Sequence, residues 1–157
     1  MKLTPGQVRE VLQLPQETFR HWKTVLPPLA GRNGYRPCFS HGDLFAMAVV
    51  KALTNTAGIR IGSLSAVAVS LFTQCDRHSW AGLERSILVL DLAHKRANFA
   101  PDSEVPQFSA IGIMVACRPI VAELRKRLLM DQGDKQQGTL RFPPAVVASE
   151  RRREKAS

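Results

Sequence analysis

Apolar positions in the first 26 residues recur at three- and four-residue spacing, the period of a helix rather than a strand. Val8, Val11 and Leu12 form one stripe and Phe19, Trp22 and Leu26 a second, with "QLPQ" between them. Thr4-Pro5-Gly6-Gln7 supplies a capping hydroxyl, a proline in the first turn and a glutamine three residues after the cap, so a helix is predicted to start there. The residue before Pro15 is pushed out of helical geometry, while proline is tolerated at the start of a new helix. A second helix is therefore predicted from about Pro15 to Val25, and the pair makes a helix-turn-helix candidate.

The prolines of "LPPLA" preclude a helix, and "GRNGYRPCFS" follows (residues 31–40). Asn33-Gly34 is a two-residue hairpin signal, which predicts a two-stranded wing with Arg32 and Arg36 on either side of its tip. Ser40-x-x-Asp43 resembles a capping box for a third, largely buried helix from Asp43 to about Thr56, closed by Gly58. Ser63 to Cys75 reads as a fourth helix. Beyond it, "RSILVLDLA", "RANFAPDSEVPQ" and "FSAIGIMVA" suggest two or three short strands. Pro119 then opens a helix to about Met130, whose stripe of Ile120, Val121, Leu124 and Leu128 opposes Glu123, Arg125, Lys126 and Arg127. Residues 131–157, ending in "ERRREKAS", show neither periodicity nor a core and read as a mobile tail.

Charge sharpens this division. The chain of 157 residues carries a net charge of +9. Residues 1–64 hold eight Lys/Arg against three Asp/Glu, residues 65–134 hold eight against eight, and residues 135–157 hold six against two. Positive charge confined to one folded segment and one tail points to a polyanion, nucleic acid ahead of a membrane surface. The longest run without a charged residue, Ile61 to Cys75, is shorter than the roughly 18–20 apolar residues a bilayer crossing needs. The opening residues do not resemble a secretory signal, so the cytoplasm, at the nucleoid, is the expected location. Cys38, Cys75 and Cys117 lack metal-type spacing and read as reduced packing residues; no metal or other cofactor is expected.

With Phe19, Trp22 and Leu26 facing inward, Glu17, Arg20, His21 and Thr24 point outward and Gln16 and Lys23 lie at the flanks. Such a face mixes hydrogen-bonding and cationic groups, as contact with bases and phosphates requires. The order helix, turn, "ETFRHW", "NGYRPCFS", "DLFAMAVVKAL", "AGIRIGSL" resembles the DNA-binding module of the mercury-resistance-regulator (MerR) family over about residues 2–75. Thr18-Phe19-Arg20-His21-Trp22 matches the family's Thr-Leu-Arg-Tyr-Trp/Tyr pattern, and Gly34-Tyr35-Arg36, Phe39-Ser40 and Asp43-Leu44 match its Gly-Tyr-Arg, Tyr-Ser and Asp-Leu. Pro15 stands where a capping serine is usual, and Pro37-Cys38 adds a residue to the wing's return strand. The resemblance implies that Thr18, Arg20 and His21 meet the major groove and flanking phosphates while Tyr35 and Arg36 clamp the backbone. Gln16, Glu17, Lys23, Thr24, Arg32 and Asn33 complete the expected DNA-binding set.

The expected fold is mainly α (α+β): a winged helix-turn-helix over residues 1–75, a small strand-and-helix region over 76–134, and a basic tail over 135–157. The middle region is small and apolar, so it is expected to dimerise through Ile120, Val121, Leu124 and Leu128. No nucleophile with a base, carboxylate pair or phosphate loop emerges, so no enzyme is expected. The expected function is a sequence-specific, homodimeric transcriptional regulator of the MerR type acting on double-stranded DNA without a small-molecule effector. The alternatives are a DNA-architectural factor resembling an excisionase with the same winged fold, and a protein-interaction module that keeps the fold but not the nucleic acid.

Overall fold

The computed structural model describes residues 2–107 and 110–139 and is of mixed α and β type. Helix α1 spans Pro5–Leu12 and opens with the capping box anticipated for it: Gln7 N donates to Thr4 Oγ1 (3.2 Å), and Thr4 N donates to Gln7 Oε1 (2.9 Å). It ends where Gln13 turns left-handed (φ 51°) and Leu14 N donates to Arg9 O at 2.9 Å. Helix α2 then spans Gln16–Val25, with Pro15 accepting from Phe19 N (3.0 Å) but offering no side-chain cap. Pro27–Leu29 form a single 3-10 turn, because a proline in the first turn forfeits no hydrogen bond.

The two-stranded wing does not form. Residues 34–36 are a bend, and Asn33 N donates to Gly31 O at 3.0 Å. The segment's one β-bridge joins Phe39 to Leu3 ahead of α1, with Leu3 N to Phe39 O at 2.8 Å and Cys38 N to Leu3 O at 3.0 Å. Two features account for this. Pro37 removes a ladder donor from the return strand, and the buried Leu3 and Phe39 gain more by pairing with each other over the core than a solvated hairpin would.

Helix α3 covers His41–Asn55 and starts two residues before the expected Asp43, since Ser40 is the cap and Asp43 the third helical residue. Helix α4, Ile61–Arg77, lies against it and is two residues longer at each end than its apolar stretch suggested. Their approach is close at one point: a Cβ on Gly42 would lie 2.6 Å from the backbone of Asp76. Ser40 Oγ donates to Asp76 Oδ1 at 2.7 Å across the same joint. A short helix α5, Trp80–Glu84, follows, capped by Ser79; five residues are too few to show a period, so nothing in the hydrophobic pattern marks it.

The strands are β1 (Ser86–Asp91), β2 (Arg96–Pro101) and β3 (Ile113–Ala116), antiparallel in the order β2-β1-β3. Leu88 and Leu90 face the helices, and β2 lies on α4, where Ala97 N donates to Ser70 Oγ at 2.9 Å. Helix α6 runs from Cys117 directly after β3 to Thr139, so residues 131–139 extend the helix expected to end near Met130. The rest of the expected tail, including "ERRREKAS", lies outside the described residues.

A single buried cluster joins Val8, Phe19 and Phe45 to Leu83, Leu88, Leu90, Cys117, Val121 and Leu124 across the expected boundary at residue 75. The stripe expected to dimerise is part of it. Val121 and Leu124 are fully buried, and Ile120 and Leu128 pack against the same core, because α6 covers α1 and α3 of its own chain. The apolar stripe identified a buried face correctly, but its partner is intramolecular. No described helix is long and apolar enough to cross a membrane.

Candidate nucleic-acid interface

Helix α2 carries most of the site. Its inward face buries Phe19 and Trp22, which fixes the helix's rotation; Gln16, Glu17, Arg20, His21 and Thr24 are exposed, and Thr18 and Lys23 half-buried. Ten residues give roughly 15 Å of helix, enough to lie in a major groove about 12 Å wide. Glu17 Oε1 accepts from Arg20 Nη1 at 3.1 Å. Both side chains are largely exposed, so this pair contributes little and yields Arg20 readily to a phosphate.

The loop after α2 is tied to it by a single side-chain bond: Lys23 Nζ donates to Asn33 Oδ1 at 3.3 Å, with the ammonium 5.5 Å from the Phe19 ring centroid. Gly34 has φ 101°, which keeps the tip turned outward. Beyond it Tyr35 is 98% exposed, and Arg36 is exposed as well. The tip, the start of α1 and the flank of α2 enclose a groove of about 260 Å³. Gln16, Arg20, Lys23 and Tyr35 line it, joined by Arg9 and by no carboxylate. Arg9 Nε is buried there without a hydrogen-bond partner. The sequence pattern did not single out Arg9; its one signal is its place on α1 away from Val8, Val11 and Leu12.

Two expected contacts differ. Arg32 is turned away from the tip: its Nη1 donates to Asp43 Oδ2 (2.5 Å) and to Cys38 O (3.4 Å), and its guanidinium lies 5.4 Å from the Phe39 ring centroid. It anchors the loop to the start of α3, with its side chain 31% exposed. Thr24 Oγ1 donates to its own helix at His21 O (2.7 Å), which leaves that hydroxyl only its acceptor capacity. Among the described residues no His, Cys, Asp and Glu side chains cluster in metal-binding fashion. Cys75 and Cys117 are buried as thiols, the first pushed far up by desolvation and the second to about 11 for the same reason.

The chain matches no protein-family model, no curated protein and no solved structure.

Proposed function

We propose that this chain binds double-stranded DNA, with α2 in the major groove and the 33–36 loop on the adjacent backbone, and acts in the cytoplasm as a sequence-specific transcriptional regulator of the MerR type. One observation carries the reading: the only tyrosine of the chain is almost wholly exposed beside a groove lined by Arg9, Arg20 and Lys23 and by no acid. An aromatic ring held out in water contributes nothing to the fold. Set among cations at the tip of a glycine turn, it suits a sugar-phosphate backbone, which accepts hydrogen bonds and draws positive charge.

The test is fluorescence anisotropy of the full chain on a labelled duplex over a salt series. If Arg9, Arg20, Lys23 and Arg36 each neutralise one phosphate, the slope of log K against log salt is about −3.6. Tyr35→Ala weakens binding at every salt concentration. Affinity indifferent to salt overturns the reading.

A second reading, a DNA-architectural factor similar to an excisionase, gains from the packing of Ile120, Val121, Leu124 and Leu128 against the chain's own core. A homodimer would then need some other surface, whereas an architectural factor forms its contacts only along DNA. Footprinting separates the two: symmetric half-sites favour the dimeric regulator, and tandem repeats on one strand favour the architectural factor.

A further inference from the structure

Helices α1, α3 and α6 leave a groove of about 360 Å³ on the side of α6 that meets α1 and α3, at the lower end of the range for small-molecule sites. Its hollow exists because α3 presents Ala48 and Ala52, one turn apart, where larger side chains would reach α6. Val11 and Leu12 from α1 and Ile120 and Leu124 from α6 supply the other apolar surfaces.

Three charged side chains line it, Lys51, Glu123 and Arg127. The Glu123 carboxylate accepts from Arg127 Nε at 2.6 Å, so those two charges answer each other. Lys51 differs. Its ammonium donates to the main-chain carbonyl of Leu12 (2.6 Å), the last residue of α1, which is a neutral acceptor. Desolvation and the Arg127 guanidinium hold its pKa below the ordinary lysine value, and Glu123 opposes that shift only as the weakest of the three influences. The groove thus carries one cation in excess, on a half-buried group beside apolar walls.

We propose that this groove binds a small apolar carboxylate, its head on Lys51 and its body against Ala48, Ala52, Ile120 and Leu124. An anion there would meet the uncompensated charge and supply Lys51 with an ionic partner as well as a peptide one. The apolar body fills space that the two alanines leave open. The site is separate from the α2 face and stands independently of the DNA reading.

The experiment uses the full chain and two probes of nearly equal shape, 2-naphthoate and its neutral analogue 2-naphthamide. Calorimetry is expected to give one site for the carboxylate and at least tenfold weaker binding for the amide. Lys51→Met should remove that tenfold preference while leaving the amide unaffected, and Ala52→Phe should abolish binding of both by filling the hollow. Proton-carbon spectra of the unmodified protein serve as a check that needs no variant: naphthoate should shift the methyl signals of Ala48, Ala52, Ile120 and Leu124 together. Equal affinity for the two probes, no binding at millimolar concentration, or shifts centred elsewhere overturns the proposal.

Discussion

Arg32 and Asp43 stand eleven residues apart in the chain, and their side chains meet at 2.5 Å. Asp43, at 6% exposure, is the one buried charged residue among the described residues, and its Oδ2 also accepts from Ser40 N at 2.8 Å. A single carboxylate oxygen therefore closes the cap of α3 and holds the loop that precedes it. That geometry separates two arginines which look alike in sequence. Arg32→Ala leaves a buried carboxylate with half its partners and should lower stability by about 1–3 kcal/mol. Arg36→Ala, at an exposed position, should leave the urea midpoint unchanged and weaken specific and non-specific DNA equally. Unfolding curves and anisotropy on both variants check this, and a stable Arg32→Ala that loses DNA selectively would restore Arg32 to the interface.

Arg20 and Arg9 should divide in a different way. Arg20 lies on the exposed face of α2 and is released from Glu17 at little cost, so Arg20→Ala and Glu17→Ala should change which base pairs a selection from random duplexes returns. Arg9 lines the groove from α1, and in the docking proposed above it would meet backbone rather than bases. Arg9→Gln should leave the selected motif intact and reduce the salt slope by about 0.9. Identical motifs from the Arg20 variant and the unmodified protein would count against α2 in the major groove.

What could be read from sequence was local. Thr4 with Gln7 and Ser40 with Asp43 lie three residues apart, so the residues that cap α1 and α3 are visible in a short window. The rotation of α2 follows from Phe19 and Trp22 for the same reason. The wing failed because the pairing of Phe39 was decided by Leu3, far upstream, and not by the glycine turn beside it. The stripe on α6 told that Val121 and Leu124 are buried and nothing of what buries them. Periodicity is blind to the difference between a second copy and α1 and α3 of the same chain. Arg32 and Arg36 flank one turn symmetrically in sequence, and only the position of Asp43 tells the tethered arginine from the exposed one.

The buried thiols should make the fold sensitive to alkali. Desolvation raises the Cys117 pKa to about 11 and pushes that of Cys75 higher still, above the 9.0 of an exposed thiol. In the folded state both keep their protons where the unfolded chain has lost them. The stability they contribute is full below pH 9 and falls as pH rises through 9 to 11, by about 1.4 kcal/mol per pH unit for each thiol. Lys51, whose pKa is lowered, acts in the opposite sense, its penalty easing as pH approaches 10.5. Urea midpoints at pH 8, 9.5 and 10.5 should fall steeply for the unmodified protein and less for a Cys75→Ala, Cys117→Ala double variant. Parallel curves would mean that other groups govern the alkaline limb.

Two glycines test whether the α3–α4 joint sets the distance between the N-terminal module and the sheet. Gly42 lies near the start of α3, where an added Cβ would sit 2.6 Å from Asp76 Cα and 2.8 Å from Cys75 C. Both obstacles are backbone and cannot turn aside as a side-chain tip would. Gly42→Ala must therefore push α4 away from α3, which strains the Ser40–Asp76 hydrogen bond and should cost about 1–3 kcal/mol, the range for overpacking a close joint. Gly62, in the first turn of α4, has nothing within 4 Å of the same added atom and an ordinary helical backbone. There alanine removes only freedom from the unfolded chain, so Gly62→Ala should raise stability by about 0.4–1 kcal/mol. Neither residue touches the α2 face, and DNA affinity per folded molecule should not change in either variant. A Gly42→Ala protein as stable as the unmodified chain would show that the two helices pack less closely than the structure has them, and would loosen the hold of α4 on Phe99 and Ala97 beyond it.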